Sequence, residues 1–294
     1  MAAETKRERR IPALVVSGYL GSGKTTLVRR LLEAAREEGV RLAIVSNEFG
    51  ELGIDRALLG GGDETFVELG GGCVCCRLSD DLVRALENLH EKVDLDRVVI
   101  ETSGVALPYD VQLHFYREPL ARWIGEDLCA VLVNAEQLAT GDLDETFEDQ
   151  VSSADLLLLN KLDLVPAGAV PALEAKLREL EPDAPIVHTR HSEVSPDLLF
   201  PPDAAQLRRR GERAHPPHAH AAFVSSLREF PRGVPSAAVA DALRAEGALR
   251  AKGFVDTAEG LRLVQGVGVR IELAPPASPP PPELVGRVVL IRRG

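Results

Sequence analysis

A chain of 294 residues, 45% hydrophobic and 27% charged, is long enough for two ordinary cores and too apolar for wholesale disorder. Its formal net charge of −11 disfavours nucleic acid as the main partner. No apolar run reaches the roughly 18 residues a membrane span needs, and the start MAAETKRERR lacks the apolar stretch of a signal peptide. Membrane and secretory roles are therefore set aside, and the expected location is the cytoplasm.

Residues 1–10 read as a charged, mobile arm. Residues 11–32, IPALVVSGYLGSGKTTLVRRLL, run from an apolar strand through a glycine-rich turn into helical spacing, which is the pattern of a P-loop. Gly18, Gly21 and Gly23 allow a row of backbone N–H groups to curl around phosphate oxygens, with Ser22 between them. Lys24 would place its charge on the β- and γ-phosphates, Thr25 would offer its hydroxyl to Mg²⁺, and the helix start adds its dipole.

Gly39 closes that helix, and RLAIVSN (41–47) reads as a second strand. After the loop EFGELGID, TFVEL (65–69) is a short strand leading to GGGCVCC. LSDDLVRALENLHEKV (78–93) has helical spacing, with Ser79 as N-cap. RVVIETSG (97–104), LCAVLVNA (128–135), ADLLLLNKLD (154–163) and APIVHT (184–189) are buried strands whose polar ends mark the ligand edge of a parallel sheet. Cys129 falls in an apolar run and reads as core.

The fold class is therefore α/β, a doubly wound, mainly parallel P-loop NTPase domain over 11–200. Residues 200–222, with FPPD, RRR and HPPHAH in quick succession, break the periodicity, and 201–221 read as a linker. Residues 222–294 predict a small α+β domain from AFVSSLREF, the helical SAAVADALRAEGAL, RAKGFVD, LRLVQGVGVRIEL and GRVVLI, with ASPPPPEL a loop within it. The last strand runs almost to Gly294, which predicts no terminal helix.

Three constellations carry chemistry. Asn160, Lys161 and Asp163 form N-K-x-D at a strand end, where the aspartate can accept two hydrogen bonds from the guanine N1 and N2 edge and the lysine stem can stack along the base. Glu101 to Gly104 (ETSG) puts an acid near Mg²⁺ and a glycine N–H near the γ-phosphate. No obvious glutamine follows to position water, so slow intrinsic hydrolysis is expected.

Cys73, Cys75 and Cys76 set three soft sulfur donors on a glycine platform, too tight for a disulfide framework and suited to Zn²⁺ or Cu(I) with a fourth position open. A redox thiol set or small buried residues in a turn are the competing readings. His215, His218 and His220 could bind metal loosely or belong to a solvated, proline-stiffened loop. His90, His114, His188 and His191 read as ordinary surface residues.

With GYLGSGKTTL, NEFGELGID, GGCVCC, ETSG, NKLD and RAKGF in this order, residues 11 to about 291 resemble the CobW-like GTPases, metallochaperones related to the hydrogenase and urease nickel-insertion GTPases. The resemblance implies a P-loop GTPase domain of the kind that often dimerises, followed by a small C-terminal domain. It implies that residues Gly21, Ser22, Gly23, Lys24, Thr25 and Thr26 hold the phosphates and that Glu48 and Glu51 belong to a switch loop near both metals. It further implies that Glu101 belongs to a second switch and that the three cysteines bind the transported ion, zinc or cobalt.

Tyr19 for a common phenylalanine and Asn134 for a common aspartate depart from the pattern. The histidine tract is short, which argues against storage. The expected function is thus GTP hydrolysis coupled to metal delivery to a client metalloprotein. A GTPase switch with structural thiols, or a nucleotide-stabilised metal buffer, are the alternatives.

Overall fold

The computed structural model describes residues 10–46, 66–68, 78–141, 143–202, 223–276 and 279–293. The chain divides between residues 193 and 194 into two compact units, apart from residues 183–185, which group with the second.

In the first unit, strands β1 (Ile11–Ser17), β2 (Leu42–Ser46), β3 (Phe66–Glu68), β4 (Arg97–Glu101), β5 (Ile124–Asn134), β6 (Leu156–Asn160) and β7 (Ile186–His188) form one sheet in the order β3-β2-β4-β1-β5-β6-β7. Every pairing is parallel. Strands β2 and β6 are buried at every residue. Because successive side chains point to opposite faces, both faces must be covered.

Helix α1 (Lys24–Glu38) supplies part of that cover through Leu27, Val28, Leu31 and Ala35, a stripe at helical spacing. It ends as expected at Gly39, whose φ of 68° is left-handed. The other helices of this unit are α2 (Leu78–Lys92), α3 (Pro108–Phe115), α4 (Ala135–Thr140), α5 (Glu145–Ser152) and α6 (Val170–Leu180).

Some boundaries differ from the sequence reading. Strand β5 begins at Ile124 rather than 128, because Glu126 and Asp127 interrupt the apolar run without breaking the strand. Asp127 is accommodated by hydrogen bonds from Gln112 (2.8 Å) and Tyr116 (2.8 Å). Helix α2 starts at Leu78, so Ser79 lies inside it rather than at its cap. His90 is not an ordinary surface residue: its ring stacks on Trp123 with centroids 4.3 Å apart. Cys129 is fully buried, as core.

The second unit contains the short α7 (Pro196–Leu199), then β8 (Phe223–Glu229), α8 (Ser236–Ala245), β9 (Arg250–Thr257), β10 (Gly260–Val267), β11 (Arg270–Ala274) and β12 (Arg287–Arg293). The five strands make an antiparallel sheet ordered β11-β10-β9-β12-β8. LRLVQGVGVRIEL spans two of these strands, β10 and β11, joined by a turn.

Val239 and Leu243 of α8 pack into a core with Ala251, Val255, Val264, Val288 and Leu290. The helix is anchored by Glu259, whose Oε2 accepts from Ser236 N (3.0 Å) and Oγ (2.6 Å). These bonds to the charged form lower its carboxyl to about 2.

Candidate nucleotide site at the carboxyl edge of the parallel sheet

Strand order reverses direction around β1, since β2 and β4 lie to one side of it and β5, β6 and β7 to the other. Ligand crevices of open α/β sheets form at such a point, outside the carboxyl ends of the strands. The loop Gly18–Gly23 leaves β1 there and feeds α1.

Two of its glycines are required by their surroundings. At Gly18, with φ of 137°, a Cβ would overlap the Leu132 carbonyl oxygen. At Gly23, with φ of 109°, it would stand 2.5 Å from Asn160 Nδ2 and 2.7 Å from Ser192 Oγ. The loop is therefore wedged between β5 on one side and the end of β6 on the other. Gly21 is also left-handed, at φ 73°.

Lys24 is buried, and its ammonium donates to the carbonyl oxygens of Gly18 (2.9 Å) and Tyr19 (3.4 Å), which holds it across the mouth of the loop. The Ser22 hydroxyl is buried and has no hydrogen-bond partner among the described residues. A buried orphan donor beside left-handed glycines fits an oxygen-rich anion. Thr26 lies exposed in the first turn of α1.

Glu101 ends β4 and is 1% exposed. Its two carboxylate oxygens are divided between a helix and a strand: Oε1 accepts from Thr25 Oγ1 of α1 (2.8 Å) and Oε2 from Ser46 Oγ of β2 (3.1 Å). Such bonds make a buried carboxylate tolerable. Next to it, Thr102 Oγ1 donates to Ser17 Oγ (3.0 Å). Gly104 follows in the same loop, buried.

Asn160 of N-K-x-D is an internal brace. Its Nδ2 donates to Ser22 O (2.8 Å) and Ser192 Oγ (3.0 Å), while its Oδ1 accepts from Thr189 Oγ1 (2.9 Å) and Ser192 N (2.9 Å). All four bonding positions of the amide are used. Ser192 Oγ in turn donates to Gly23 O (3.0 Å). Lys161 turns left-handed at φ 61°, and Asp163 is exposed in the following short turn. Any base contact from this motif thus falls to Lys161 and Asp163, with Asn160 fixing the loop they stand on.

Several of these residues escape sequence reasoning: Ser46, Thr189, Ser192 and the Tyr19 hydroxyl, which donates to Asp144 Oδ2 (3.1 Å). Their signal is only position, directly at or after the end of a parallel strand. Asn134, the aspartate substitute, caps α4 by accepting from Glu136 N (3.0 Å), a role that needs no charge.

The profile of the CobW/HypB/UreG nucleotide-binding domain matches residues 12–188. The chain belongs to the CobW/HypB/UreG family. Residues 223–294 match the cobalamin synthesis protein cobW C-terminal domain. Similar proteins include the zinc chaperone CobW of a Sinorhizobium species, 30% identical over 92% of this chain and 89% of its own. The zinc chaperone CobW of Pseudomonas aeruginosa is 33% identical over 90% of this chain and 82% of its own. A crystal structure of a zinc-bound triple mutant of the YjiA GTPase aligns with TM-score 0.50 and 25% identity, covering 97% of this chain and 94% of that one.

The remaining residues that the family resemblance singles out lie outside the described residues: Glu48, Glu51, Cys73, Cys75 and Cys76, and likewise His215, His218 and His220. Among the described residues, no group of three His, Cys, Asp or Glu side chains could hold a metal, and no helix is long and apolar enough to cross a membrane.

Proposed function

We propose that this member of the CobW/HypB/UreG family is a GTP-hydrolysing metallochaperone, which binds zinc or cobalt at Cys73, Cys75 and Cys76 in a nucleotide-dependent way and passes it to a client metalloprotein. The observation that supports this best is the bridge made by Glu101. One carboxylate oxygen holds Thr25 of the phosphate loop and the other holds Ser46. Ser46 is the last residue before the NEFGE segment, from which the chain runs on to the cysteines. A nucleotide that competes for Thr25 changes what Glu101 can offer Ser46, and so biases the segment carrying the metal ligands.

In the reaction, water attacks the γ-phosphorus, the bond to the β–γ bridging oxygen breaks, and GDP and phosphate leave. The Lys24 ammonium offsets the charge that develops on the β- and γ-oxygens. The paired oxygen donors Thr25 Oγ1 and Glu101 suit a hard divalent cation; Mg²⁺ bound there would neutralise charge on the same phosphates. Asp163 and Lys161 would select guanine, on a loop held rigid by Asn160, Thr189 and Ser192. The nucleotide domain acts within the 11–200 segment, with 222–294 as the C-terminal domain of the same chaperone and a homodimer as its working form.

The test is GTP turnover by the full chain in Mg²⁺, with and without zinc. A tenfold or greater change in kcat/KM on adding zinc is expected. Turnover indifferent to zinc would point instead to a GTPase switch whose thiols are structural.

A further inference from the structure

Helix α5 is attached to both sides of the nucleotide site, although none of the sequence motifs lies on it. At its N-terminus, the N-cap Asp144 accepts from the Tyr19 hydroxyl of the phosphate loop (3.1 Å) while its other oxygen caps Phe147 N (3.2 Å). Two turns on, Gln150 is fully buried, and its Nε2 donates to the carbonyl oxygens of Gly104 (3.1 Å) and Ala106 (3.0 Å), in the loop that follows Glu101. The two loops also touch each other: a Cβ on Gly104 would lie 2.6 Å from Leu20 Cδ2.

The Gln150 amide is only half used. Among the described residues its buried Oε1 has no hydrogen-bond partner, and neither has the buried hydroxyl of Ser103, next to Gly104. Burying an acceptor without a partner is costly, so this amide is held here against a penalty. The unused Oε1 and the unused hydroxyl of Ser103, which precedes the bonded Gly104 in the chain, supply the parts for a second arrangement of this loop, in which Oε1 takes a proton donor.

Resting on the reading of this site as a GTP site, we infer that Gln150 is a positioning residue that sets the ETSG loop for the triphosphate-bound state, with α5 as the strut joining that loop to the phosphate loop. Gln150 is fully buried, so it acts by orienting the Gly104 peptide. Its removal should therefore discriminate between nucleotides that differ only at the γ-phosphate, which a packing defect would not.

The experiment compares the wild-type chain with Gln150→Leu and Tyr19→Phe, in Mg²⁺, by titrating GDP and a non-hydrolysable GTP analogue and by measuring kcat and KM. Gln150→Leu is expected to keep GDP affinity within twofold, to lose tenfold or more in analogue affinity, and to lose a similar factor in kcat. Tyr19→Phe, which leaves the core untouched, is expected to shift the analogue-to-GDP ratio about threefold in the same direction. Equal losses for both nucleotides, or none, in Gln150→Leu overturn the inference; should that variant fail to fold, an unchanged ratio in Tyr19→Phe does so. If the wild-type chain binds no guanine nucleotide, the GTP reading itself fails.

Discussion

The two units spend their buried polar groups differently. Among the described residues, the buried polar or charged side chains of the first unit are Ser17, Ser22, Lys24, Ser46, Glu101, Thr102, Asn134, Gln150, Asn160, Thr189 and Ser192, whereas the second unit has Arg250 and Thr257. Most of the first set gather at the carboxyl edge of one sheet. Burying polar groups costs stability unless each is hydrogen-bonded, so a concentration of them marks where the fold serves chemistry rather than cohesion. The second unit builds its core under α8 almost wholly from apolar side chains.

That contrast can be broken most severely at Gly18. Gly18→Ala places a Cβ on the Leu132 carbonyl oxygen in a backbone region hostile to L-residues, which should cost about 4 kcal/mol in stability and remove nucleotide binding, read by chemical unfolding and nucleotide titration. Leu243→Ala should cost about 3 kcal/mol through the cavity it leaves, yet leave nucleotide affinity unchanged, because its partners all belong to the second unit's core. If affinity fell with it, the two units would not be independent in function.

Asn160→Ala should cost about 2 kcal/mol, since it strands Ser22 O, Thr189 Oγ1 and Ser192 N. Unlike the leucine change, it should weaken nucleotide binding as well, by loosening the loop that carries Lys161 and Asp163. The smallest effect is expected at Glu259. Its carboxyl is lowered from 4.5 to about 2 in the folded chain by the bonds from Ser236. The stability it contributes is therefore present above pH 4.5 and is lost as pH falls through about 2. Thermal unfolding of Glu259→Gln and the wild-type chain should differ slightly above pH 4.5 and converge toward pH 2.

How much of this could be read in the sequence depended on how local each signal is. GYLGSGKTTL, ETSG and NKLD are contiguous, and each sits where its strand, turn and helix context predicts. Asn160 showed a limit of that reading: the motif marks it as a ligand residue, and the structure uses its whole amide to hold Ser22, Thr189 and Ser192 together. Gln150 had no local signal, and Ser46 and Ser192 had only their position at or after the end of a parallel strand, being common polar residues. Ser192 bonds Gly23 across 169 positions, a pairing visible only once β1, β6 and β7 are aligned in one sheet. The strand boundaries failed for a similar reason, since Asp127 stays within β5 only because Gln112 and Tyr116 reach it. The cysteine cluster is a chemical signal, legible as donors but lying outside the described residues.

The central claim is that the nucleotide controls the metal site, and the most direct measurement is zinc and cobalt affinity by competition titration with Mg²⁺ throughout, in GDP and in a non-hydrolysable GTP analogue. A control chain carries Cys73→Ser, Cys75→Ser and Cys76→Ser. The account predicts at least tenfold tighter metal binding with the analogue, about 1.4 kcal/mol of coupling, abolished in the serine chain. The same metal affinity in both nucleotide states would contradict it.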